Sequence, residues 1–103
     1  MGKKYDVRYL PASQKDVTDI VDYIKQDNPS AAIKLIDEIT EVISHLEDFP
    51  SIGSMPKDLR LQSLNYKILV IDNYLVFYTI KEEDNIVEIR RILHGKRRYS
   101  FLF

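Results

Sequence analysis

Tyr66-Lys67-Ile68-Leu69-Val70-Ile71-Asp72-Asn73-Tyr74-Leu75-Val76-Phe77-Tyr78-Thr79-Ile80 is the stretch that decides the fold. Tyr66, Ile68 and Val70 alternate with Lys67, Leu69 and Ile71, and after Asp72-Asn73 the residues Tyr74, Val76, Tyr78 and Ile80 alternate with Leu75, Phe77 and Thr79. A period of two is the mark of β-strands, and a link as short as Asp-Asn joins antiparallel neighbours, because a parallel crossover needs a dozen residues or more. Both strands are apolar on both sides, so the sheet they form must be covered on both faces.

Toward the C-terminus, the turn Glu82-Glu83-Asp84-Asn85 leads into a further strand over 86–93. Toward the N-terminus, Asn65 is a turn and 59–64 reads as one more strand, which makes a meander of up to four. The breaker-rich loop Pro50-Ser51-Ile52-Gly53-Ser54-Met55-Pro56 precedes it, and there the period changes. Ala32, Leu35, Ile36, Ile39, Val42, Ile43 and Leu46 keep a 3-4-3 spacing, with Asn28 as N-cap and Pro29 at the first helical position. Before Asn28, Val17, Ile20, Val21 and Ile24 predict an amphipathic helix over 12–26, with Ser13 and Asp16 as an S-x-x-D cap. Tyr5, Val7 and Tyr9 open the chain as a half-buried strand closed by Pro11.

The expected fold is therefore a single α+β domain over 1–103: an N-terminal strand, an antiparallel helical hairpin and an antiparallel β-meander, with the helices on one sheet face. Two helices cover one face only. The other is expected to be shielded by the tail Phe101-Leu102-Phe103, by a second copy, or by a partner chain, since large exposed apolar patches are interaction sites.

The 103 residues carry 15 Lys/Arg against 16 Asp/Glu, no Cys and 45% hydrophobic residues. Without Cys there are no disulfides, no thiolate zinc sites and no thiol nucleophile. No apolar run approaches the ~20 residues of a membrane span, and the N-terminus has no apolar signal stretch, so a cytoplasmic protein without a membrane partner is expected. The net charge of −1 hides a split: residues 1–50 have six Lys/Arg against ten Asp/Glu, and 51–103 have nine against six. From Arg90 onward there are cations and no acid. A basic pole at one end is a first pointer to an anionic partner.

That pole reads Ile89-Arg90-Arg91-Ile92-Leu93-His94-Gly95-Lys96-Arg97-Arg98-Tyr99. Unbroken alternation assigns Arg90, Ile92 and His94 to one face, with Arg91 and Leu93 on the other, and Gly95 releases a basic arm beside His94. Cations neutralise phosphate, an imidazole or phenol moves a proton, and an aromatic ring stacks on a base, so the cluster suits phosphodiester chemistry. It equally suits a solvated basic surface, or cross-sheet pairing of Arg90 and Arg91 with acids. His94 and His45 have no metal-ligand spacing, and no nucleotide-binding or hydrolase motif occurs, so neither metal nor cofactor is expected.

Taken in order, the opening strand, the two helices, the 50–53 loop, Tyr74-Leu75-Val76-Phe77-Tyr78 and the Arg91-Ile92-Leu93-His94 ending resemble the RelE/ParE superfamily of type II toxin–antitoxin toxins, also called plasmid stabilisation proteins. The resemblance implies a small bacterial toxin held inactive by a cognate antitoxin that wraps its apolar grooves. RelE-like members are metal-independent, ribosome-dependent mRNA endonucleases, in which basic residues promote attack of a ribose 2′-OH on the adjacent phosphate and so stop translation. ParE-like members poison DNA gyrase without nuclease chemistry. On the nuclease reading Arg97 resembles the family's C-terminal catalytic arginine, His94 and Tyr99 resemble its proton-transfer groups, and Lys67 resembles a lysine on its sheet. Arg60, Arg90, Lys96 and Arg98 join them as phosphate-binding candidates, and Phe101, Leu102 and Phe103 as antitoxin-binding ones. Leu75 departs from the pattern, because nucleases of the family carry an arginine there. An mRNA endonuclease is the first expectation; a gyrase inhibitor, or a member that has lost toxicity, is the alternative. Homodimers and toxin–antitoxin hetero-oligomers are both compatible with the resemblance.

Overall fold

The computed structural model describes residues 4–95. The chain runs β1 (Asp6–Tyr9), α1 (Pro11–Lys25), α2 (Pro29–Ser44), α3 (Leu59–Ser63), β2 (Lys67–Ile71), β3 (Tyr74–Lys81) and β4 (Ile86–His94), with single 3₁₀ turns at His45–Glu47 and Glu82–Asp84. The four strands form one sheet in the order β1-β4-β3-β2. β2, β3 and β4 are the expected antiparallel meander, and β1 joins it parallel to β4, with Asp6 opposite Ile86 and Tyr9 opposite Ile89. The parallel edge makes the sheet mixed, and α1 and α2 belong to the crossover that a parallel pair requires. Among the described residues no helix is long and apolar enough to cross a membrane.

The helical hairpin packs on one face. Leu35, Ile39, Ile43 and Leu46 meet Val76, Tyr78, Val87, Ile89 and Ile92 in the main core. Asn28 caps α2 as expected, its side chain accepting the Ala31 N–H with Pro29 next in line. α1 begins differently from expectation. Its N-cap is Leu10, with no side-chain cap, and Ser13 Oγ donates back to the Leu10 carbonyl. Asp16 serves no cap: its carboxylate is turned into the protein against β4.

The segment expected as a strand over 59–64 is the short helix α3. Asp58 sets its start by accepting the Arg60 and Leu61 N–H groups, which is N-cap chemistry and leaves nothing for a strand ladder. This correction also answers the coverage of the second sheet face. Leu61 is fully buried against Phe77 and Leu93, with Tyr66, Ile68 and Leu75 around them, so α3 covers the middle of the face that the hairpin cannot reach.

Candidate functional site

The C-terminal half of β4 holds the described part of the expected site, and its geometry depends on a β-bulge. Phe77 pairs with Arg91 whereas Tyr78 pairs with Ile89, so β4 has one residue more than β3 between these pairs. Alternation therefore breaks at the Arg90-Arg91 doublet. Ile92 lies in the hairpin-side core and Arg90 on the other face, a correction to the expectation that they share one. Unbroken alternation would have turned Ile92 out of that core; the bulge keeps both Ile89 and Ile92 in it.

The two arginines of the doublet take different partners. Arg90 Nε donates to Thr79 Oγ1 at 2.8 Å, its Nη2 lies 3.2 Å from Glu88, and its guanidinium sits over the Tyr66 ring at 5.6 Å. Arg91 makes a two-pronged contact with Asp16 of α1, Nε to Oδ2 at 2.7 Å and Nη2 to Oδ1 at 2.9 Å. Hydrogen bonding to Asp16 outweighs burial and raises the Arg91 pKa, so the guanidinium stays charged at every working pH. β1 ends opposite Ile89, and beyond it Asp16 Oδ2 accepts the Ile92 N–H at 3.0 Å. The sequence reading of Asp16 as a cap missed this role; the signal that could have found it is the helical stripe that Asp16 shares with Ser13, Val17 and Ile20.

His94 ends β4 exposed, opposite Tyr74, whose ring meets the imidazole edge-on at 5.4 Å. It borders an open cleft of about 270 Å³ between α1 and the strand ends, lined also by Asp16, Asp19, Tyr23 and Tyr74. The Gly95 N–H then bonds to the Asn73 carbonyl at 2.7 Å. The other expected groups lie elsewhere. Lys67 pairs with Tyr78 at the start of β2 and so shares the hairpin face, Arg60 is on α3, and Arg90 is on the α3 face. Leu75 packs on the α3-side cluster, beside Phe77 and opposite Leu93. Lys96, Arg97, Arg98, Tyr99, Phe101, Leu102 and Phe103 lie outside the described residues. Among the described residues no three His, Asp or Glu side chains come together as a metal site.

A second constellation was not evident in the sequence. The Tyr78 hydroxyl donates to the Pro50 carbonyl at 2.7 Å and accepts the Gly53 N–H at 2.9 Å, stapling the 50–56 loop to the sheet. Gly53 is required by this approach, since a Cβ there would lie 2.6 Å from the Tyr78 hydroxyl. Tyr78→Phe leaves both loop groups without their partner, and a loss of roughly 1–2 kcal/mol in urea unfolding is expected. Burial raises the Tyr78 pKa, opposed in part by the Gly53 N–H. A raised folded-state pKa gives stability that is complete below the free phenol value and is lost as pH climbs through the folded one. The alkaline loss of stability is therefore expected to be shallower in Tyr78→Phe than in the parent chain.

Comparison with known proteins agrees with this architecture. A family model described as the ParE toxin of the type II toxin–antitoxin system parDE matches residues 7–99. Among solved structures, the chain is similar to one of the chromosomal ParDE toxin–antitoxin system of P. aeruginosa, at a TM-score of 0.73 and 16% identity, covering 90% of this chain and 98% of that one. It is also similar to a chain of a RelBE toxin–antitoxin complex from Mycobacterium tuberculosis, at a TM-score of 0.60 and 16% identity, covering 91% of this chain and 94% of that one. No curated protein matches by sequence. The structural likenesses establish the fold, the family match spans nearly the whole sequence, and the chain thus belongs to the ParE toxin family, within the RelE/ParE superfamily of type II toxin–antitoxin toxins.

Proposed function

We propose that this toxin acts by binding DNA gyrase, cuts no RNA, and is neutralised by a cognate antitoxin. The observation that carries the reading is Leu75. Where the nuclease branch has a phosphate-binding arginine, this chain has a leucine packed on the apolar cluster of Leu61, Phe77 and Leu93. Lys67 faces the opposite side of the sheet, and Arg90 is bonded to Thr79 and Glu88. A phosphodiester transition state needs its cations converging on one phosphate, and these groups do not converge. On this reading His94, Lys96, Arg97, Arg98 and Tyr99 serve in docking and not in acid–base chemistry.

The antitoxin belongs to the proposal through the family, and through relatives solved as ParDE and RelBE systems. The purified chain is expected to inhibit supercoiling by gyrase, while reporter transcripts stay whole in primer extension after its induction. Ribosome-phased cuts together with unimpaired supercoiling would overturn the reading in favour of the nuclease, with His94, Arg97 and Tyr99 as its proton-transfer and phosphate groups.

A further inference from the structure

Three rings wall the open cleft of about 270 Å³ beside His94. Tyr23 of α1, Tyr74 at the start of β3 and His94 at the end of β4 line it together with the apolar Ile20 and Ile92. Tyr23 is 77% exposed, so its ring is offered to solvent. Burial raises the Tyr74 pKa, and the charges of Asp72 and of an ionised Tyr23 raise it further, which places both near its hydroxyl. Ring faces beside carboxylates are a site for a cation. Asp16 has no part in this, because Arg91 and the Ile92 N–H already engage its carboxylate. Asp19 does take part. Its ion pair with Lys15, at 2.9 Å, joins side chains that are 60% and 76% exposed, and such a pair yields readily to a competing cation. Asp72, exposed in the β2–β3 turn, is a second carboxylate close by.

The chain's own cations begin at the rim of this cleft. Gly95 follows His94 and is fixed at the sheet end by its N–H on the Asn73 carbonyl. Lys96, Arg97 and Arg98 come next in the sequence and lie outside the described residues. Three residues extend at most about 11 Å, and long side chains add to that reach, so each of these cations is within range of rings that start at His94 itself. A group tethered this closely competes at a high effective concentration. A cation brought by another protein would have to pass these three like charges first, which disfavours it.

We propose that this cleft latches the chain's own basic segment, taking a guanidinium of Arg97 or Arg98 between the Tyr23 and Tyr74 rings and against Asp19. A partner that takes up these cations has to draw them out of the cleft, so the latch regulates how readily the segment is offered. The inference goes beyond the gyrase reading and does not depend on it. Trypsin digestion of the native chain, followed by mass spectrometry, gives the rate of cutting after Lys96, Arg97 and Arg98 relative to cutting after the exposed Lys57. Asp19→Asn with Tyr23→Ser is expected to raise that ratio about fivefold at an unchanged unfolding temperature, because both side chains are exposed and cutting tracks the released fraction. Added salt is expected to raise the ratio in the parent chain and to leave it unchanged in the double variant. In NMR spectra, Arg97→Gln with Arg98→Gln is expected to move the ring signals of Tyr23 and Tyr74 and to leave those of Tyr78 in place. Equal ratios in parent and double variant overturn the proposal, as do Tyr23 and Tyr74 signals that ignore the arginine changes, which would leave the cleft to a partner. Ring shifts that fade on dilution also overturn it, since the arginine would then belong to a second copy. No gyrase enters the test, so a failed supercoiling assay bears on the proposed function alone.

Discussion

Phe77→Ala is expected to lower the unfolding free energy by about 3–5 kcal/mol, read as a shift of the urea midpoint at unchanged slope. Phe77 is fully buried in the cluster of Leu61 and Leu93 beneath α3, on the sheet face opposite the main core. The ring's removal takes away its own transfer free energy and leaves a cavity between Leu61 and Leu93. α3 is a helix of five residues, too short to persist without its tertiary contacts. Backbone amides of α3 are therefore expected to exchange faster than those of α2 in the variant. A midpoint shift below about 1 kcal/mol would mean that α3 does not shield this face, because partial collapse alone does not recover so large a loss.

Asp16→Ala is expected to cost roughly 3 kcal/mol, at the low end for a broken buried ion pair because the Arg91 side chain retains 20% exposure. The loss has three parts: Arg91 keeps its charge without a partner, the Ile92 N–H loses its acceptor, and the bulge loses the contact that ties it to α1. Arg91→Ala is expected to cost a similar amount by stranding the carboxylate. The combined change Asp16→Leu with Arg91→Met is expected to recover most of the loss, since burying neither charge is cheaper than burying one alone. Thermal unfolding of the parent, Asp16→Ala, Arg91→Ala and the variant carrying both alanines closes a double-mutant cycle, and additivity of the single losses would show that the two side chains are not coupled.

Much of the architecture was legible because local pattern and tertiary demand agree. The alternation from Tyr66 to Ile80 gives β2, β3 and the turn between them; the 3-4-3 spacing from Ala32 to Leu46, with Asn28 and Pro29 ahead of it, gives α2. Where they conflict, pattern misleads. Leu59 and Leu61 are two apart and Leu61 and Leu64 three apart, so the segment fits both periods. Its helical state follows from the Asp58 cap and the pocket that Leu61 fills. Ser13 and Asp16 have the spacing of a cap, yet an Arg on a strand 75 residues away claims the carboxylate.

The candidate site shows the same division. Its residue types, and the basic C-terminal end on which they cluster, are properties of the sequence, and so is the leucine at position 75. Their convergence is not. A side chain's face on a strand depends on every register step before it, and one extra residue at Arg90 reverses the assignment for the rest of β4. Apart from α3, the sequence alone determined the order of elements, and with it the core stripes and the charge polarity, because these depend on contacts within a few residues. Tertiary structure decided which cations share a face, what covers the second side of the sheet and where apolar surface is left open, because each depends on contacts between segments far apart in the chain.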